Sequence, residues 1–309
     1  MRVLLTGGYG FLGRYVYNKL VSSENNEVKI FHSNECDLRN KDDTLKLIDD
    51  YKPDTVIHLA ATVGGIGANM RNPGVYFYDN MMMGLNIIES SRIVGINKFV
   101  QVGTVCSYPK YCPVPFREND IWEGYPEETN APYGVSKKAL YVMLDAYKKQ
   151  YNFNSTIIVP CNLYGPFDNF NPNSSHVIPA LIKKVVEAKE NGDNSIICWG
   201  TGNATREFLY AEDAADAIVS SLNVETDTIP INVGTGSDIS IKDLVTEIIK
   251  AVDYNCRIDW DASKPDGQPK RMLDISRAKS ILGWTPKTSL DGGLQQTVRW
   301  YYDSKNTRT

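Results

Sequence analysis

Tyr133 and Lys137 stand four residues apart in the run Ala131-Pro132-Tyr133-Gly134-Val135-Ser136-Lys137-Lys138. On a helix that spacing puts both side chains on one face. A phenol titrates at about 10, and an ammonium beside it favours the phenolate, so Tyr133 is expected to exchange protons near neutral pH. Tyr-x-x-x-Lys is also a frequent accident of helical sequence, and its meaning depends on what lies upstream. There, Gly103-Thr104-Val105-Cys106-Ser107-Tyr108-Pro109 presents a hydroxyl and a thiol together at the end of an apolar run. His176 opens the helical stretch Val177 to Leu181, whereas His58 lies inside an apolar run and reads as a core residue. A thiol near about 8.5 and an imidazole near about 6.5 are both suited to trading protons at neutrality. Cys112, Cys161, Cys198 and Cys256 read as structural.

These groups need elements to bring them together. Arg2 to Thr6 reads as a strand that runs into Gly7-Gly8-Tyr9-Gly10-Phe11-Leu12-Gly13 and then a helix over Arg14 to Val21. Strand, glycine turn and helix make a dinucleotide-binding unit, with Gly7 for the turn, Gly10 for close approach of a pyrophosphate and Gly13 for helix packing. A second strand, Glu27 to Phe31, leads into His32-Ser33-Asn34, where an acid would select NAD and a base NADP. Neither is present, so Ser33 and Asn34 leave the preference open. Asp37-Leu38 is placed beside the adenine, with Asp37 equally able to cap a helix starting near Lys41. Small residues after the third strand, Thr55 to Leu59, leave room for a cofactor at Ala60 and Ala61.

A long helix over Pro73 to Val94, with Met81 to Met83 as packing residues, precedes the fourth strand, Lys98 to Val102. Helical character over Lys137 to Tyr151 and a strand at Ser155 to Pro160 follow, and Asp213 to Leu222 and Pro230 to Gly234 are expected to return to the first lobe. Helices at Ile178 to Asn191, Ile241 to Val252 and Ser276 to Leu282 and short strands at Ser195 to Cys198 and Arg257 to Trp260 supply the remainder. The expected fold is α/β: a Rossmann-type doubly wound parallel sheet with a smaller C-terminal α/β substrate-binding lobe. Residues 1–162 plus 205–235 form the first domain and 163–204 plus 236–309 the second.

A chain of 309 residues with 42% hydrophobic and 23% charged residues has the make-up of a globular protein with ample core. A net charge of -4 argues against a nucleic-acid binder or a polybasic membrane anchor, though not against an anionic substrate. The six cysteines show no metal-ligand spacing, and the apolar start is too short to span a membrane. A cytoplasmic location is the expectation.

The glycine turn, a hydroxyl residue ending the fourth strand and Tyr-x-x-x-Lys on the next helix together resemble the extended short-chain dehydrogenase/reductase family. Ala60 to Ile66, Cys106 to Pro109, Asn162 to Phe170, Asn173 to Leu181, Trp199 to Gly202, Arg206 to Phe208 and Asp261 to Gly267 resemble its epimerase/reductases acting on GDP-4-keto-6-deoxy-D-mannose. The resemblance implies that Thr104 and Tyr133 hydrogen-bond a sugar oxygen and that Lys137 holds the nicotinamide ribose. It implies that Cys106 and His176 exchange protons at sugar carbons 3 and 5, and that NADPH then reduces the 4-ketone. Asn162 and His176 also touch the cofactor in this scheme. Asn162, Lys184, Trp199, Arg206 and Lys264 line the nucleotide-sugar pocket, with Lys183 an alternative to Lys184. Thr104 replaces the more usual serine, Val105 is bulkier than its counterpart, and Tyr9 and residues 32–34 lack the family's basic residues, so NADH competes with NADPH. A homodimer is implied. Two other readings stand beside this one: a reductase or epimerase of a related GDP-4-keto-6-deoxy sugar such as a deoxyheptose, and a non-catalytic dinucleotide-binding redox sensor.

Overall fold

Strands rich in Val, Ile and Leu that are buried on both faces need a helical layer on each side. The computed structural model supplies both layers and describes residues 1–172, 174–264 and 267–306. Asn173, Pro265 and Asp266, quoted above within two of the resembling stretches, lie outside the described residues. The strands are β1 Arg2–Thr6, β2 Glu27–Lys29, β3 Thr55–His58, β4 Lys98–Val102, β5 Ser155–Pro160, β6 Asn162–Tyr164, β7 Ser195–Trp199, β8 Thr205–Arg206, β9 Phe208–Tyr210, β10 Ile231–Val233, β11 Ile239–Ser240 and β12 Arg257–Asp261. The helices are α1 Phe11–Val21, α2 Lys41–Tyr51, α3 Ile66–Arg71, α4 Pro73–Val94, α5 Ala131–Tyr151, α6 Val177–Asn191, α7 Ala211–Ser220, α8 Ile241–Val252, α9 Ser276–Leu282 and α10 Leu290–Asn306.

Six parallel strands form the main sheet in the order β10-β5-β4-β3-β1-β2. The chain reverses direction across the sheet between β1 and β3, and the loops leaving those strands part there, which opens a crevice at their carboxyl ends. Helices α4 and α5 pack together on one side, and α1 packs on α7 on the other. Helix α5 begins at Ala131, six residues before the sequence pattern places it, because Pro132 in the first turn has no N–H to lose and a φ already suited to a helix. Asn40, rather than Asp37, caps α2, accepting from the N–H groups of Asp42 and Asp43.

Two apolar cores result. The first lies around the main sheet and α7, and the second packs α6, α8 and α10 with β7 and β9. Leu273, Ile275, Ala278 and Trp284 belong to the first, although the boundary at residue 236 assigns them to the second lobe. Glu207 fastens this returning segment. Its buried carboxylate accepts from the N–H groups of Thr235 at 2.6 Å, Gly236 at 2.6 Å and Leu273 at 2.8 Å. Glu207→Ala strands the buried Leu273 donor and two part-buried ones and is expected to lower unfolding stability by about 2–4 kcal/mol, read by urea denaturation. A loss below about 1 kcal/mol would mean that water replaces the carboxylate at no cost.

Candidate active site

The crevice widens into a cavity of about 1350 Å³ that reaches from the glycine turn to α6 and β7. A single small ligand fills about 300–1,000 Å³, so this space is sized for a dinucleotide and a second molecule together. The turn fits the pyrophosphate of such a cofactor. A Cβ on Gly13 would lie 2.0 Å from the carbonyl oxygen of Gly7, and Gly7 itself has φ 70°, so the chain can bend this tightly only with glycine at both positions. Gly10 caps α1 without a side chain across it, leaving the leading N–H groups turned to the cavity with the positive end of the helix behind them. Tyr9, Phe11, Leu12, Ser33, Asp37 and Leu38 continue the lining, as do Ala60, Ala61 and Asn162. Asn34 does not line it.

The reactive groups gather where β4 ends. Residues 105–107 form a single 3-10 turn, and Thr104 Oγ1 accepts from the N–H of Cys106 at 3.2 Å. Helix α5 is pressed onto this turn: a Cβ on Gly134 would fall 2.1 Å from the Cys106 carbonyl oxygen, and Ser107 Oγ donates to the carbonyl of Gly134 at 3.3 Å. Tyr133, next in sequence, is thereby held against Thr104 and Cys106. Tyr141, two turns further along α5, accepts from the Thr104 N–H at 3.2 Å and shares a hydrogen bond with Ser107 at 3.3 Å. Its hydroxyl thus sets the path of the whole turn.

Burial changes the expected acid–base chemistry. The Tyr133 phenol is raised well above its ordinary value by desolvation first, with the neighbouring Cys106 and Tyr141 adding to the rise and a hydrogen bond with Thr104 opposing it. The expectation that Lys137 lowers Tyr133 therefore does not hold in this structure. Lys137 Nζ lies 6.0 Å from the Tyr133 ring centroid and donates to the Val102 carbonyl at 3.4 Å, while its own burial pushes it down to about 8. Tyr133 is accordingly a protonated donor at neutral pH, suited to giving a proton to a developing alkoxide rather than to acting as a resting base.

His176 is the residue before α6, on a loop whose Ser174 carbonyl accepts from the Gly65 N–H at 3.1 Å. That bond ties the loop to the segment after β3 and brings His176 to the same cavity that Tyr133 and Cys106 line. Its ring has solvent access through the cavity but is crowded by protein, and the crowding lowers its pKa, which keeps the imidazole neutral and able to accept a proton. His58 is buried, with Nδ1 2.8 Å from Thr6 Oγ1, in keeping with a core role.

Lys183, Lys184, Trp199 and Arg206 line the far end of the cavity. Lys184 donates to the Ile197 carbonyl and Lys183 is 3.7 Å from Glu187. Trp199 is 66% exposed, with the Lys264 ammonium 5.7 Å from its ring centroid. Lys264 reaches the site only through that ring and does not itself line the cavity. Sequence reasoning missed Gln268 and Arg271, which do. Gln268 Oε1 accepts from Arg271 Nε at 2.6 Å, and Arg271 Nη1 donates to Cys106 Sγ at 3.9 Å. Glu127 and Asn130, joined at 3.2 Å, were missed as well.

Residues 3–234 match the family model described as the NAD dependent epimerase/dehydratase family. A GDP-L-fucose synthase of Sinorhizobium fredii is 41% identical over 96% of this chain and 94% of its own length. A GDP-L-fucose synthetase of Naegleria fowleri solved with NADP bound has a TM-score of 0.90 at 27% identity, covering 99% of this chain and 95% of its own. A GDP-6-OMe-4-keto-L-xylo-heptose reductase of Campylobacter jejuni also has a TM-score of 0.90, at 28% identity over 98% of both chains.

Proposed function

This chain belongs to the NAD-dependent epimerase/dehydratase family, and we propose that it performs the reaction of the GDP-L-fucose synthases to which it is similar. It converts GDP-4-keto-6-deoxy-D-mannose to GDP-L-fucose by epimerisation at carbons 3 and 5 and reduction of the 4-ketone, with NADP(H) as cofactor. The observation that carries this reading is the meeting of Thr104, Cys106, Tyr133 and His176 around one cavity that also takes in the glycine cradle.

Protons on carbons flanking a ketone become acidic only when the charge left behind can spread onto the oxygen. Thr104 and Tyr133 donate to that oxygen, and the enolate forms against two preset hydrogen bonds. Inversion needs one group to remove a proton from one face and another to deliver a proton to the opposite face; Cys106 and His176 divide these tasks. When bound, the nicotinamide supplies the hydride for the last step. Tyr133 then gives its proton to the 4-oxygen, and Lys137 holds the ribose and offers a positive charge behind the phenol. Arg206, Lys184 and Trp199 hold the diphosphate and the base.

Turnover in heavy water tests the reading. The expected result is NADPH oxidation with deuterium at two ring carbons of the product. Oxidation without deuterium would leave a plain reductase of a related sugar, a reaction that needs neither Cys106 nor His176. Absence of turnover would leave a dinucleotide-binding sensor.

The protein works as a homodimer in this reading, joined through α4 and α5. Val75, Phe77 and Tyr78 on α4 and Val142 on α5 are exposed, Tyr78 by 58% and Val142 by 55%, apolar surface that a second copy of the chain would cover. Among the described residues no helix is long and apolar enough to cross a membrane. All six cysteines are free thiols, which suits a reducing, cytoplasmic compartment.

A further inference from the structure

Among the described residues, the end of the cavity that takes the adenosine ribose carries no uncommitted arginine or lysine. In dinucleotide-binding units the residues leaving the second strand meet the ribose 2′-position, and a basic group there recognises a phosphate. Here that exit is His32 and Ser33. The His32 ring stacks flat on Tyr9, with centroids 3.8 Å apart and planes 4° from parallel, joining the glycine turn to the β2 exit as an aromatic wall. The Glu35 carboxylate accepts from the His32 N–H at 2.6 Å, which sets an acid beside this wall.

Arg39 is the one arginine or lysine lining this end among the described residues, and two acids already hold it. Its Nε and Nη2 fork onto Asp37 at 2.8–3.1 Å, and its Nη1 donates to Asp79 at 3.2 Å. Asp79 in turn accepts from Thr62 at 3.1 Å, which holds that acid in place against the arginine. Arg14 donates from Nε to the Tyr9 carbonyl at 3.2 Å and lies over the Phe167 ring at 5.2 Å, outside the lining. Lys29 lies over the Tyr51 ring at 5.2 Å, also outside. A 2′-phosphate brought here meets one arginine shared by two carboxylates, with Glu35 nearby, so its charge has no partner that the free hydroxyl of NAD lacks.

We infer that this chain discriminates little between phosphorylated and unphosphorylated dinucleotide, so that NADH serves it about as well as NADPH, with Ser33 as the position that sets the balance. The inference rests on reading the glycine end as the dinucleotide site. It is tested by isothermal titration of the full chain with NAD⁺ and with NADP⁺, together with kcat/KM for NADH and NADPH on the keto sugar nucleotide. The wild type is expected to bind the two within about tenfold of each other, a difference no larger than one weak contact confers. Ser33→Arg, an exposed change, is expected to move the ratio of dissociation constants toward NADP⁺ by about tenfold or more through one charge-assisted bond. Wild-type preference for NADP⁺ beyond about tenfold overturns the inference while leaving the dinucleotide reading in place. No binding of either nucleotide overturns both. An unchanged ratio in Ser33→Arg overturns the assignment of Ser33.

Discussion

Tyr133→Phe is expected to lower kcat for the reduction about 10³- to 10⁴-fold, with dinucleotide affinity and thermal stability close to wild type. The phenol does two things in the proposed cycle. It is one of two donors to the 4-oxygen, and losing one such donor costs about 10²–10³. It is also the proton source for the alkoxide, and general acid catalysis contributes about 10²–10⁴, the two effects overlapping because one group performs both. Deuterium exchange at the ring carbons should fall less, by about 10², because Thr104 still donates to the enolate oxygen. The pH profile separates this account from one in which the tyrosine titrates. Burial keeps Tyr133 protonated well past neutrality and pushes Lys137 down to about 8. Charge is thus lost from Lys137, not Tyr133, as pH rises through about 8, and the wild-type alkaline limb should lie there. The residual activity of Tyr133→Phe should keep that limb. A limb that vanished with the phenol would assign the ionisation to Tyr133 and undo the pKa ordering.

The residues proposed to act through their own chemistry could be picked out in the sequence, because each lies at the end of an element. Gly7, Gly10 and Gly13 follow β1 and Thr104 follows β4, so strand periodicity sends them toward one edge of a parallel sheet, whereas Cys106 and His176 are singled out through the family resemblance. What stayed hidden depends on the tertiary fold. Arg271 lies 165 positions from Cys106, with no local pattern linking them, and only the return of residues 273–284 into the first core brings it there. Tyr141 looks like one more aromatic on α5 until its hydroxyl is seen to fix the turn at Thr104. The direction of the Tyr133 shift depends on burial, which spacing does not report: Tyr-x-x-x-Lys predicts a charge effect, and desolvation outweighs it.

Cys106→Ala and His176→Gln are each expected to reduce epimerisation by about 10³-fold while slow NADPH oxidation continues, so that the reduced sugar emerges without full inversion. The reason is geometric. One neutral group on one face of the sugar can take a proton and put it back, which exchanges hydrogen for deuterium but inverts nothing. Inversion needs both groups, and removing either should therefore cost nearly as much as removing both. The double variant then adds little to the single ones. Arg271 offers a graded check, since its guanidinium donates to Cys106 Sγ at 3.9 Å and is itself steered by Gln268 at 2.6 Å. Gln268→Leu leaves the thiol and the arginine in place and removes the steering bond together with the Gln268 bond to the Lys110 carbonyl at 2.7 Å, so it should slow inversion about tenfold, the effect of one charge-assisted hydrogen bond, with the reduction of an already epimerised sugar much less affected. Product analysis by proton NMR reads every arm. Wild-type inversion in Cys106→Ala would remove the thiol from the mechanism and hand both faces to His176, a task that its single neutral imidazole is poorly placed to perform.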